Sequence, residues 1–190
     1  MEILEIIQTV GAVLKIIETV IQVLAPVIQK IGQALGLIDE GEKSEDLGGR
    51  ALNAEDAGIR PEDFGSFEEY LQEVKKFPPE NDKPLEERMK KGAELVMGVL
   101  AEKCPGLETE VFAALKDLPE LTTENWGSDL GALLKSGELN PTAVSDFLLK
   151  RSMSDNERYK VMDSFIGIEK KNNPSISDSE AMEKISKVRD

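Results

Sequence analysis

The chain reads as an all-α protein: a long N-terminal heptad-patterned amphipathic helix, then an acidic linker, then a small multi-helix bundle. Three observations predict this. Apolar residues recur every seven positions through the first 38 residues. Residues 39–65 change abruptly to acids and glycines. From residue 66 onward helix-start signals recur, and no stretch alternates with the period of two that a strand requires. The expected organisation is therefore 1–38 as the long helix, 39–65 as the linker and 66–190 as the bundle.

In the first segment one class of seven-spaced residues is Ile7, Leu14, Ile21, Ile28 and Leu35. A second is Ile3, Val10, Ile17, Leu24 and Ile31. A third is Ile6, Val13, Val20, Val27 and Ala34. Every member is apolar, and the polar residues fall in the other four classes. The first two classes alternate at spacings of four and three, which is an a/d seam, and the third is then g. An apolar face this broad, with Ile at both a and d, favours three or more helices over two. Small residues beside the seam, Gly11, Ala25 and Gly32, would let another helix approach closely. A strict repeat of seven also implies a left-handed supercoil.

Length matters next. About 36 helical residues span roughly 54 Å, whereas a compact globule of this size has a radius of gyration near ~16 Å. A straight helix would protrude, and Pro26 offers a place to kink. A membrane span needs about 20 largely apolar residues. Here the longest uncharged run, Thr19 to Gln29, contains two glutamines and a threonine, and Lys15 and Glu18 sit mid-helix. A lone lipid-facing span is disfavoured, while insertion of the helix after release from a bundle stays an alternative. Interfacial helices usually carry a basic face and aromatic residues, and this one has neither.

The segment 39–65 carries nine acids, three bases and five glycines. Its few large apolar residues predict a solvated linker. Pro61 can start a short turn of helix. Beyond it, Ser66–Glu69, Ser154–Glu157 and Ser177–Glu180 have the spacing of capping boxes. Asn140–Pro141 pairs a good N-cap with proline at the first helical position. These signals predict helices near 66–77, 84–104, 108–117, 123–136, 141–151, 154–172 and 177–188. Leu95, Val96, Val99 and Leu100 should be core. So should Trp126, Leu130, Leu133, Leu134, Phe147, Leu148, Val161, Phe165 and Ile168. The scattered methionines Met89, Met97, Met153 and Met162 read as gap-fillers.

Composition narrows the function. The formal net charge is −14, from 37 acidic and 23 basic residues. Phosphate backbones and anionic lipid heads should repel such a chain, and its longest basic runs are pairs. Nucleic acid is not expected as a partner. The chain has no histidine and one cysteine, which removes the usual general base and the usual zinc ligands. Cys104, beside a Pro-Gly pair, reads as a half-buried helix-end thiol rather than a nucleophile. The acids of 39–50 lack the spacing of a calcium loop. Glu69 and Glu73, four apart, are a charged helix face rather than a glycosidase pair. No phosphate loop or nucleophile elbow is present. No enzyme activity, cofactor or metal is expected.

The N-terminus begins Met-Glu, with acids at Glu2 and Glu5 and no basic stretch, so no cleavable secretory signal is expected and a cytoplasmic location is favoured. The functional expectation is a helical assembly or interaction protein, a structural subunit or scaffold. Its seam (Ile3, Ile7, Val10, Leu14, Ile17, Ile21, Leu24, Ile28, Ile31, Leu35) would contact copies of itself or a helical partner. The alternatives are a membrane-active protein that releases its first helix into lipid, and an acidic helical adaptor for a basic partner.

Overall fold

The computed structural model describes residues 1–79 and 81–190. Among them every regular element is an α-helix or a short 3-10 turn. The long N-terminal helix is present, in two parts. α1 spans Ile3–Ile17 and α2 spans Ile21–Ala34, joined by a 3-10 turn at Glu18–Val20. The break does not fall at Pro26, which lies inside α2. It comes earlier, at Val20 (φ −122°, ψ 18°), where the backbone leaves the helical region. α2 ends at Gly36, whose φ of 75° is left-handed. Gly36 N–H donates to Gln33 O and Leu37 N–H to Gly32 O, closing a Schellman motif.

Residues 39–65, expected as a linker, instead contain a 13-residue helix, α3 (Ser44–Asp56). It buries Leu47, Ala51 and Ala54. Its partner is α5 (Leu85–Lys103), and glycine makes the contact. A methyl group at Gly48 would overlap the Arg88 carbonyl, and one at Gly92 would overlap the Ser44 carbonyl. The two backbones therefore meet almost directly. The stretch carries few large apolar residues because small ones suffice at that separation, and this is why composition alone suggested a linker. Pro61 does start a turn, a 3-10 segment at Pro61–Asp63.

The remaining helices follow the local signals. They are α4 (Phe67–Val74), α6 (Glu110–Leu115), α7 (Glu124–Ser136), α8 (Pro141–Leu148), α9 (Asp155–Asn172) and α10 (Asp178–Arg189). Ser154 and Ser177 form full capping boxes with Glu157 and Glu180. Ser66 accepts from Glu69 N–H, but Glu69 reaches back to Gly65 N–H rather than to the cap. Asn140 accepts from both Thr142 and Ala143. Two more caps have no counterpart among the expectations. Thr123 accepts from Trp126 N–H, and Glu2 closes a capping box with Glu5 at the start of α1.

α5 is the axis of the molecule. From Leu95 to Ala101 every residue is buried. α1 runs antiparallel to it: Ile6 shares a cavity wall with Ala101 at one end, and Glu18 pairs with Lys90 at the other. α2 crosses α5 where Gly32 meets Val96, and then packs on α7, where Gly131 meets Ala34. At the far side Trp126, Phe165 and Phe147 stack edge to face, with centroids 5.1 and 5.3 Å apart. One continuous core cluster joins Ile6 near the N-terminus to Val188 near the C-terminus. All the expected core residues of 66–190 are buried except Leu133, which is partly so.

Candidate functional site

The seam of the N-terminal helix is the contact surface expected from sequence. Val10, Leu14, Ile17, Ile21, Leu24, Ile28 and Ile31 are all at most 4% exposed. Ile3, Ile7 and Leu35 are partly buried against the same core. What covers them is this chain itself, through α5, α6 and α7. A heptad pattern specifies a buried face and not the identity of the helices that bury it, so an internal and an intermolecular seam read alike in sequence.

The outward arc of the helix is less polar than the classes suggested. Leu4, Ile16 and Val23 are 55, 50 and 51% exposed. A Cβ at Gly11 would meet only open space. Leu85, at the start of α5, is also exposed, and Gln22 Nε2 donates to the adjacent Glu86 at 2.9 Å. Ile16 and Val23, seven residues apart, lie outside the three wholly apolar classes. Their exposure could have been suspected from their places outside the a, d and g positions.

Few polar ties hold the helix pair to its bundle. Lys90 Nζ lies 3.0 Å from Glu18 Oε1, with the Lys90 side chain partly exposed and that of Glu18 mostly so. Such a pair contributes little. The firmer hold is at the end of α2. Gln33 Nε2 donates to the carbonyls of Asp39, Glu40 and Glu42, and Gln29 Nε2 donates to Glu42 O at 3.1 Å. These two glutamines, one turn apart, fasten the loop that returns the chain to α3.

The titratable groups are mostly engaged with one another. Lys91, largely buried, bridges Glu55 and Glu94 across α3 and α5. Burial raises the Glu94 carboxyl above its ordinary value, and Lys91 opposes the rise. Beneath them Tyr70 is fully buried with its hydroxyl unpartnered. Burial first, and the negative charge of Glu94 second, push its phenol well above its ordinary value. Arg151 grips Glu108 in a two-pronged pair at 2.6 and 2.7 Å, which lowers the Glu108 carboxyl. Cys104 is half-buried, and burial raises its thiol, so the thiolate needed for nucleophilic attack is disfavoured.

Glu69 and Glu73 lie on α4, where Glu69 accepts from Gly65 N–H and Glu73 pairs with Lys76. Among the described residues no three of His, Cys, Asp and Glu are grouped to hold a metal ion. No protein-family model, no curated protein and no solved structure matches the chain.

Proposed function

We propose that this chain is a non-enzymatic helical interaction protein, a structural or scaffold component whose contacting element is α1–α2. The contact runs through the outward arc to a second copy or a helical partner, not through the a/d seam. One observation carries the reading. On a helix whose inner face is already covered, Leu4, Ile16 and Val23 remain half exposed along the outside. Apolar side chains repeated along one exposed helix are a recognition surface of the helix-to-helix kind.

Light scattering after size exclusion tests this. The wild type should show a mass above 20.9 kDa that rises with concentration. Ile16→Glu with Val23→Glu should return it to the monomer without lowering Tm, since neither side chain is in the core. A wild type that stays monomeric at every concentration removes self-association.

A second reading is favoured by a different observation. The span Ile3–Ala34 is 32 residues long, reaches a mean hydropathy of 1.8 in its most apolar stretch, and is only 44% buried there. That is long and apolar enough to cross a bilayer. Under this reading the helix pair leaves its bundle for lipid, exchanging protein contacts for acyl chains. Flotation with zwitterionic and anionic liposomes separates the two. Lipid binding that persists in a demonstrably monomeric wild type supports membrane exchange.

A further inference from the structure

We propose that the outward face of α1 docks on the same face of a second copy, the two helices running antiparallel about a two-fold axis at the level of Val10. The inference rests on the reading above that this arc is the contact surface, and it names the partner and the orientation. Across the axis it sets Leu4 beside Ile16, Glu5 beside Lys15 and Gln8 beside Ala12.

The first observation is where these side chains lie. At about 100° per residue, Leu4, Lys15, Gln8, Ala12, Glu5 and Ile16 follow one another in that order around a single arc of roughly 120°. Leu4 and Ile16 are 55 and 50% exposed, and the other four are exposed as well. Near the axis the face is low. Ala12 carries only a methyl group, and on the flank of the arc a Cβ at Gly11 would meet nothing within 4 Å. A second helix can therefore come close there.

The second observation is the order of residues along the arc. Leu4 and Ile16 stand six residues before and after Val10, Glu5 and Lys15 five, Gln8 and Ala12 two. In an antiparallel pair about a two-fold axis, positions equally far on either side of the axis come together, and each match occurs twice. Apolar then meets apolar, acid meets base, and the long Gln8 lies over the small Ala12. A parallel pair in register would set Glu5 against Glu5 and Lys15 against Lys15, and would align the two helix dipoles.

The third observation concerns the charges. Neither Glu5 nor Lys15 has an ion-pair partner among the described residues. Glu18, at the end of the helix, is already held by Lys90. A uniformly basic partner would answer Glu5 and repel Lys15, and a uniformly acidic one would do the reverse. A foreign helix would have to carry the same pattern reversed, whereas a second copy presents it by symmetry. α1 is only roughly 22 Å long, so the contact is smaller than a standard stable interface and the dimer should be weak and reversible.

Sedimentation equilibrium of the full chain, from micromolar to millimolar concentration, tests this. The wild type should fit a monomer–dimer equilibrium with no larger species, since a two-fold contact closes on itself. Lys15→Glu sets acid against acid twice and should weaken the dimer about tenfold or more. Adding Glu5→Lys to that variant exchanges the two charges and should restore the dimer, although it also breaks the capping box that Glu5 closes with Glu2. Tm, read for each variant, should fall little with Lys15→Glu, so that a lost dimer is not a lost fold. If the exchange restores nothing while Ile16→Glu with Val23→Glu still dissociates the dimer, the antiparallel register is overturned and the outward arc stands as the contact. A wild type that stays monomeric throughout would overturn the proposal and leave the arc to a different helical partner.

Discussion

The two ends of the chain are both helix pairs, and they are held by opposite means. α1–α2 has no aromatic residue, few ion pairs and a nearly continuous buried face of Ile, Leu and Val. α9–α10 is largely charged and buries only a handful of side chains, chiefly Val161, Phe165, Ile168, Ile185 and Val188. It begins each helix with a full capping box. Lys184 pairs with the buried Glu169, and Lys170 with Asp178, across its turn. Arg189 fastens the end by donating to the carbonyls of Asp146 and Arg151, with its guanidinium over the Phe147 ring. The N-terminal pair is ordered by what it packs against, and the C-terminal pair largely by what it carries. The first should therefore be ordered only in the company of the bundle, whereas the second should keep some helix alone.

The sharpest way to break this contrast is Ile17→Asp. The side chain is fully buried at the end of α1. An unpaired buried charge costs more than the ~5–15 kcal/mol stability of a typical domain tolerates with ease. The variant should be unfolded or insoluble, read by circular dichroism, and not merely unable to assemble. A folded Ile17→Asp monomer would mean the seam is covered only between copies.

Phe165→Ala is next. It removes the ring that joins Trp126 to Phe147 and should cost about 3–5 kcal/mol in urea unfolding. Gly92→Ala should cost about 1–3 kcal/mol by forcing α3 off α5, which no cap can repair. Ser177→Ala should cost about 1 kcal/mol. In an isolated 154–190 peptide it should also lower helicity, whereas an isolated 1–38 peptide should aggregate rather than form a soluble helix.

The smallest effect concerns pH. Glu94 has its carboxyl raised by burial, so its ionised form is the one the fold disfavours. That penalty is absent below the ordinary value of 4.5, where both states are protonated, and develops as pH rises through the folded value. Glu94→Gln should therefore gain in Tm relative to wild type as pH rises from 4 to 8. Glu108, whose carboxyl is lowered by Arg151, works in the other sense. Its contribution is present above the ordinary value and fades as pH falls through the lowered one. Glu108→Gln should converge with wild type at low pH.

What could be read from residues alone divides along the same line. Helix starts at Ser66, Asn140, Ser154 and Ser177 were legible because a cap is a contact between neighbours in sequence. The apolar face of 1–38 was legible because its period is local too. Its cover was not, since α5, α6 and α7 are brought there only by folding. α3 was hidden for a related reason. Gly48 and Gly92 are turn signals when read singly and a packing contact only when the two helices meet.

The 3-10 turn at Glu18–Val20 has one further consequence. It lies between two helices whose inward faces must both meet the same core, and each residue of helix turns the next by about 100°. Positions 18 and 19 are exposed and tolerate most residue types, while Val20 packs partly against the core. The number of residues in the turn is another matter. Adding a single residue there would swing Leu24 and Ile31 out of their places in the core and bring Val23 and Lys30 toward them. Related sequences should vary freely at positions 18 and 19 and hardly ever in the length of the turn.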